Sequence, residues 1–483
     1  MSLSRVSQLS RRFTCLALAA LTACSNVPAY TQPDVSMPAH YANVPGWTVA
    51  SPEDAASRGQ WWTVFHDPDL DCLESRVNVS NQTVKKAVAQ LEQARAAVTF
   101  QRAGFFPTVT ANASQQRYRT SQNLVGKALA GKTIPDYSTG LTASWEPDLF
   151  GRVKDATVNA QANADASNAD LEAVRLSVAS DIATDYFDLR ALDIQKKLLD
   201  DTVTAYAAAL KLLQQQLADG AIDPSAVAQA QTQLESTRTQ ATDISVQRSQ
   251  LEHAIATLVG ESASTFSIVP VERTFTLPDI PPGVPSQLLE RRPDIAAAER
   301  RVVAANAQIG EAHAAYFPDL VLSASAGLES SFFAPWLTAP SLFWALGPQL
   351  VGTLFDGGRH KATLDQANAQ YDGAVADYRQ SVLISFQEVE DSLAALNALQ
   401  DEAVSQERAT SAATLALKLT TNRFQAGAVS YLDVVTAQTI ALNNQRAREQ
   451  IDARRLDASV SLIRALGGTW QTDEAASNVH APG

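Results

Sequence analysis

The sequence predicts a mostly α-helical protein with a small β portion, built as a tandem duplication around helices too long for an ordinary globular domain. Three observations carry this. From Arg359 the chain runs without proline or glycine to Gly373, and then again to Gly427. Along that run the larger apolar residues fall at Leu364, Ala367, Tyr371, Val375, Tyr378, Val382, Phe386, Val389, Leu393, Leu396 and Leu399, an average step of 3.5. That is the period of a left-handed coiled seam. At about 1.5 Å per residue the helix would be ~100 Å long, whereas globular helices usually run roughly 8 to 20 residues. Second, four short stretches alternate apolar and polar residues. Third, landmarks of the first half recur in the second at a constant offset.

The amino terminus is a separate object. Arg5, Arg11 and Arg12 make a positive start, residues 13–23 are a short apolar run, and Leu21-Thr22-Ala23-Cys24 closes it. These are the proportions of a secretory signal over residues 1–23, too short to span a bilayer as a helix. The closing tetrapeptide matches the bacterial lipobox, so Cys24 is expected to become the first mature residue and to carry lipid. The plainer alternative is a signal peptide with an incidental cysteine. Losing the three arginines takes the formal charge from −13 to −16. So acidic a chain is a poor candidate for nucleic acid. Beyond Cys24 only Cys72 remains, which leaves no internal disulfide, so stability must come from packing or assembly. No stretch of about 18 or more apolar residues occurs; a membrane could be crossed only as a β-barrel.

Residues 24–80 read as a proline-punctuated tether, then Trp61-Trp62-Thr63-Val64-Phe65 with Asp67-Pro68 leading into a helix near Leu70. The first repeat, 81–260, holds a helix from Gln82 to Ala103, strands at about 108–119 and 137–146, a long helix 150–218 and a return helix 224–260. A proline-rich linker covers 261–286. The second repeat, 287–467, holds a helix, strands at about 320–331 and 343–354, a long helix 357–425 and a return helix 430–467, with a tail from 468 to 483. Gly358-Arg359 answers Gly151-Arg152, Leu417-Lys418-Leu419 answers Leu210-Lys211-Leu212, Gly427 answers Gly220 and Gly467 answers Gly260, all at 207 residues. Tyr316-Phe317-Pro318 answers Phe105-Phe106-Pro107 at 211, so the halves differ by four residues within the β portion.

Each strand is near the roughly 9 to 11 residues that cross a bilayer with tilt. Alternation shows in Leu320, Leu322, Ala324, Ala326 and Leu328, and in Leu141, Ala143 and Trp145. Four strands cannot close a barrel, which needs about eight, and an open sheet cannot sit in lipid with bare edges. Several chains must therefore contribute. Phe105, Phe106, Trp145, Tyr316, Phe317 and Trp344 fall near strand ends, where aromatic girdles meet the membrane surface. A small soluble β-domain with core aromatics is the alternative.

Taken together, these stretches resemble the TolC-like outer-membrane efflux channels, specifically the lipidated NodT-type subfamily. The residues that carry the resemblance are the lipobox, Trp61 to Phe65 with Asp67-Pro68, Leu289-Glu290-Arg291-Arg292-Pro293-Asp294-Ile295, Tyr316-Phe317-Pro318, and Gly427 followed by Asp433-Val434. They span essentially the whole mature chain. The resemblance implies a homotrimer, with twelve strands in one transmembrane β-barrel, four from each chain, and twelve helical rods in one periplasmic α-barrel tunnel. Residues 24–80 and 261–286 would supply an equatorial layer. It implies an outer-membrane exit duct of a tripartite efflux system, passively conducting small molecules, with a periplasmic adaptor and an inner-membrane transporter as partners. No cofactor is implied beyond the lipid on Cys24. Two alternatives stay open: an exit duct for type I protein secretion, and a non-channel coiled-coil lipoprotein that spaces the envelope.

The corners at residues 216–225 and 425–434 are the expected functional ends. Gly220 and Gly427 supply the positive φ that reverses two packed helices. The resemblance makes Gly220, Ala221, Gly427, Ala428 and Val429 adaptor-contacting tips, and Asp433 a gate aspartate, with Asp219 and Asp223 as weaker companions. Plain helical corners and a solvated helix-face aspartate are the alternatives. Pro224 has no proline counterpart in the second corner, and Arg152 and Arg359 are expected at the barrel-to-tunnel junction. Gly126-Lys127-Ala128-Leu129-Ala130-Gly131-Lys132-Thr133 matches a P-loop in letters, yet an alternating strand follows it where phosphate binding needs a helix start. It reads as a surface loop. The six histidines show no metal-site spacing. No catalytic arrangement stands out, although a triad is a spatial feature, and the conduit that the resemblance implies needs none, so no enzyme is expected.

Overall fold

The computed structural model describes residues 30–34, 60–123, 130–273, 275–278 and 292–468. The signal segment, Cys24, most of the tether, the first half of the P-loop-like stretch, the linker from 279 to 291 and the tail from 469 lie outside the described residues. A 3-10 turn (Trp61–Phe65) leads to α1 (Pro68–Ser80), α2 (Gln82–Ala103), β1 (Thr108–Arg119), β2 (Thr133–Trp145), α3 (Arg152–Ala218) and α4 (Pro224–Leu258). The second half follows as α5 (Pro293–Ala314), β3 (Asp319–Ser330), β4 (Leu342–Val351), α6 (Arg359–Gln425) and α7 (Tyr431–Ala465).

The duplication shows element by element. α2 and α5 have 22 residues each, α3 and α6 have 67 each, and α4 and α7 have 35 each. Helix starts follow local chemistry. α1, α4 and α5 begin on a proline, whose missing N–H is not needed in a first turn. Asp67 caps α1 by accepting from the Asp69 and Leu70 amides, and Asn81 caps α2 through the Val84 amide.

The chain divides into two compact units, with boundaries inside α2, α3, α5 and α6. Unit 1 holds the sheet, antiparallel throughout in the order β1-β2-β3-β4. Its helical part packs through small side chains, Val98 of α2 against Ala160 and Ala164 of α3. Unit 2 holds the rest of the helices. There Leu199 of α3 meets Ala241 and Ile244 of α4 and Leu442 of α7, while Val389 of α6 meets Leu462 and Ala465 of α7. Of the expected α6 seam, Ala367, Tyr378, Val382, Val389 and Leu399 are buried.

Two strand ends differ from expectation. β2 starts at Thr133 rather than 137, through Pro135. The β1 pairing reaches Arg119↔Thr133, but the β3 pairing begins only at Tyr137, so Pro135 has a neighbour on one side only and its missing donor is harmless. β4 stops at Val351 rather than 354. Asp319↔Val351 is the last pair, and Pro318, next on β3, has no N–H to continue the ladder.

α1 carries one feature that burial patterns alone do not foresee. Leu70, Leu73 and Val77 form its buried stripe, and Glu74 stands in that stripe at 1% exposure. Neither of its carboxyl oxygens has a hydrogen-bond partner among the described residues. Burial first, and the Asp71 charge second, push this carboxyl well above the usual glutamate value.

Candidate functional site

The two corners close by the same hydrogen bonds. At the end of α3 the Gly220 amide donates to Leu217 O (3.0 Å) and the Ala221 amide to Gln216 O (2.8 Å); at the end of α6 Gly427 donates to Phe424 O (2.9 Å) and Ala428 to Arg423 O (2.9 Å). This double closure needs a left-handed residue, and Gly220 and Gly427 both have φ 72°. Pro224 and Tyr431 both hold the first position of a return helix, so the proline marks a helix start and not a different corner. The corners also share one apolar cluster, with Tyr431 and Val434 packed on Leu213 and Ala230, and Ile222 and Phe424 against them.

The corner aspartates serve their own helices. Asp223 caps α4 by accepting from the Ser225 amide (2.8 Å). Asp433 accepts from the Ser430 amide (2.9 Å) and the Ser430 hydroxyl (2.7 Å), the acidic half of a capping box at the start of α7. Hydrogen bonds from Ser225 hold the Asp223 carboxyl below the usual carboxylate range, and those from Ser430 do the same for Asp433. Both are therefore ionised at neutral pH. Asp219, Gly220, Ala221, Gly427 and Ala428 are exposed, and Val429 is half-buried. The Ser430-x-x-Asp433 signature was readable in the sequence, and it assigns Asp433 a capping role alongside any gating one.

The sheet sorts its residues by face. Val109, Ala111, Leu141, Ala143, Trp145, Leu322, Ala324, Ala326, Leu328, Leu342, Trp344, Leu346 and Leu350 stand on one face, as the pairing register requires. Thr110, Asn112, Ser114, Ser138, Thr142, Ser144, Ser323, Ser325 and Gln349 stand on the other, with exceptions at the ends and edges: Arg117 and Arg119 join the apolar face toward the hairpin end, and Val321, Phe343 and Val351 join the polar one. Trp344 and Leu346 are each 76% exposed and Leu350 67%. Where strands meet helices, Trp145 Nε1 donates to Phe105 O (3.0 Å), Phe317 stacks on Phe150 (4.7 Å, 9° between planes), and Tyr316 lies 5.4 Å from the His360 ring. Trp344 stands instead toward the hairpin end. There Tyr137 meets Phe333 (5.6 Å) and Trp336 (5.7 Å), and the last two escaped the sequence reading because they lie outside the alternating runs.

Two buried polar clasps hold unit 2 together. Asp67, 1% exposed, accepts from Tyr186 Oη (3.0 Å) and Arg273 Nη1 (2.5 Å) besides its two capping amides. Burial alone would raise this carboxyl, but the Arg273 bond, the Leu70 and Asp69 amides and the Tyr186 hydroxyl outweigh burial and lower it. Arg190, 2% exposed, binds Asp193 (3.1 Å), Asp69 (3.2 Å) and Val269 O (2.7 Å). The second clasp gives Arg292 and Asp294 of the Leu289–Ile295 stretch a structural role. Arg292 pairs with both oxygens of Asp294 (3.0 and 2.6 Å) and with Glu388 (2.6 Å), and donates to Ala465 O (3.1 Å). Its counterpart in the first half is Asn81, which donates to Leu258 O (2.7 Å), the carbonyl equivalent to Ala465 O. On one face of α3, Asp181, Asp185 and Asp188 lie at helical spacing. Burial first, then mutual repulsion, raises Asp185 to about 6, and burial with Asp188 and Asp185 nearby raises Asp457 of α7 to about 7.

Comparison with known proteins completes the picture. The model of a family described as outer membrane efflux protein matches residues 73–261 and again 284–468, one match per half. The cation efflux system protein CusC of Escherichia coli O6:H1 is 30% identical over 462 residues, 95% of this chain and 98% of that one. The pyoverdine export outer membrane protein OpmQ of Pseudomonas aeruginosa is 32% identical over 480 residues, 98% of each chain. Among solved structures, a membrane protein from Pseudomonas aeruginosa is 31% identical with a TM-score of 0.84, covering 92% of this chain and 100% of that one. CusC itself is 29% identical with a TM-score of 0.82 over the same shares.

Proposed function

The chain belongs to the outer membrane efflux protein family, and from that premise we propose that three copies assemble into one duct worked by partners in the inner membrane and periplasm. The protein is an outer-membrane exit duct for efflux, mostly helical, with a four-stranded sheet in each chain. One observation carries the membrane assignment. The sheet has one apolar and one polar face, and both its edge strands are bare, with every residue of β1 exposed. A bare-edged sheet is stable in lipid only when closed into a ring. Four strands per copy make twelve in a trimer, and an even number lets β4 of one copy run antiparallel to β1 of the next.

The remaining parts follow from this reading. An adaptor grips the exposed corners at Gly220, Ala221, Gly427, Ala428 and Val429, and an inner-membrane transporter supplies the energy. Asp433 from each copy gathers at the narrow end, where ionised carboxylates repel one another, hold water and favour cations. Cys24 carries the lipid anchor. The names of the relatives speak of cation efflux and pyoverdine export, small cargo in both cases, which favours small-molecule efflux over protein secretion. Deleting the gene in its host should raise steady-state accumulation of a fluorescent efflux dye, and re-expression should reverse it. Unchanged accumulation together with loss of a secreted protein from the medium would move the assignment to type I secretion.

A further inference from the structure

We propose that the seam between neighbouring copies is a repeat of the seam inside each chain, with Leu350 on β4 opposite Ala113 on β1 of the next copy and Phe355 stacked on that copy's Phe106. The proposal rests on the assembled-barrel reading above and adds to it a register and a contact.

The duplication supplies the rule, and the two hairpins test it. Moving β1 forward by 211 residues and β2 by 207 turns the pair Thr108↔Ser144 into Asp319↔Val351, which is the pair found. The register of one hairpin thus reproduces the other without slippage. The remaining internal seam, β2 with β3, pairs Ala143 with Ala324 and Trp145 with Leu322. Moving β2 forward by 207 and β3 back by 211 gives Leu350↔Ala113, Pro348↔Gln115 and Leu346↔Arg117 between β4 and β1. Within one chain these two strands are the outer edges of the sheet, so the pairing can be made only with another copy. Parity agrees: Leu350 and Ala113 both stand on the apolar face, whereas a slip of one residue would send every apolar side chain of one strand to the polar side.

Unpartnered side chains point the same way. Inside the chain, Phe150 after β2 stacks on Phe317 before β3. In the second half Leu354-Phe355 follows β4 as Leu149-Phe150 follows β2, at an offset of 205 because the connection is two residues shorter before the pair and Asp356-Gly357 restores them before Gly358-Arg359. The residue equivalent to Phe317 is Phe106. Phe355 is 90% exposed and Phe106 70%, large rings left in the open at the two edges that must meet. The adjoining helices repeat the theme. Asn159 of α3 donates to Ala304 O of α5 (2.8 Å), and the equivalents are Gln366 and Gln93, both exposed.

The test is disulfide trapping in the full lipidated chain, with Cys72→Ser as background. Leu350→Cys is combined with Ala113→Cys, and separately with Ala111→Cys and Gln115→Cys as register controls. Ala113 shares its row of the sheet with Leu342, so position 350 of the same chain lies three strands away and eight residues further along β4. At about 4.8 Å per strand and roughly 3.3 Å per residue the two are about 30 Å apart, beyond the roughly 7 Å reach of a disulfide. Any bond formed is therefore between copies. The proposal expects the 350/113 pair to give covalent trimer on non-reducing gels while the controls give at least tenfold less. Stronger trapping at 111 or 115 overturns the register but leaves the trimer intact. No trapping in any pair, with native mass spectrometry still reporting a trimer, overturns the seam alone. A monomer by native mass would sink both the seam and the assembly reading. As a second measurement, Phe106→Ala and Phe355→Ala should each lower the temperature at which the trimer dissociates in detergent, and the double variant should lower it no further than the worse single one. Fully additive losses would remove the stack.

Discussion

Glu74 offers a sharp energetic test, because replacing it is expected to stabilise the protein. The side chain is 1% exposed in an otherwise apolar stripe of α1, and neither oxygen has a hydrogen-bond partner among the described residues. A buried polar group without a partner costs about 1–3 kcal/mol. Glu74→Met keeps the length and removes that cost, so urea unfolding of the helical part at pH 5 should show a gain of about 1–3 kcal/mol with an unchanged denaturant slope. The pH dependence follows from the raised carboxyl. Folding holds the proton more tightly than the unfolded chain does, so the contribution of Glu74 is intact below the ordinary value of 4.5 and is lost as pH rises from there toward the raised value. Each pH unit in that window widens the gap between variant and parent by up to about 1.4 kcal/mol. Glu74→Gln should flatten the same pH profile with little gain at pH 5. Loss of stability in Glu74→Met at pH 7, or a gap that narrows with pH, would refute the reasoning by revealing a partner for the carboxylate.

Other outcomes are expected elsewhere in the chain. Arg292→Ala removes a buried guanidinium while its partners Asp294 and Glu388 remain 44% and 36% exposed, so the loss should be about 2–3 kcal/mol, below that of a fully buried pair. Arg292→Lys should recover little, since an ammonium cannot hold both Asp294 oxygens and the Ala465 carbonyl in one plane. Asp433→Asn keeps an oxygen for the Ser430 amide but removes the charge, so it should raise single-channel conductance or change cation preference while α7 stays capped, and unchanged conduction would count against the gate. Cys24→Ser should abolish labelling by radioactive palmitate; retained label would end the lipoprotein claim.

Much of the architecture was legible because length, period and repetition are properties of sequence. The long helices begin at Arg152 and Arg359, each two residues inside the expected start, because their glycines close a turn before the helix. The strand carrying Pro135 was read four residues short, since a proline in a strand is tolerated only where one neighbour is missing, a property of the whole sheet. Asn81 and Arg292 perform one task with unlike side chains, so residue matching at 211 residues could not pair them. The carboxylates of α3 lay at helical spacing in plain view, but Asp457 reaches them only through packing between α3 and α7, which no local pattern encodes. Arg273 finds Asp67 across 206 residues for the same reason.

The claim that the apolar-faced sheet of each copy closes into a membrane-crossing duct is tested most directly by conductance. Purified protein added to a planar lipid bilayer should produce discrete steps of uniform size, carried by the intact trimer and absent when Leu141→Arg, between Ala111 and Ala326, places charge within the apolar face. A flat current trace from protein that is trimeric by native mass and resists extraction from the bilayer would contradict it.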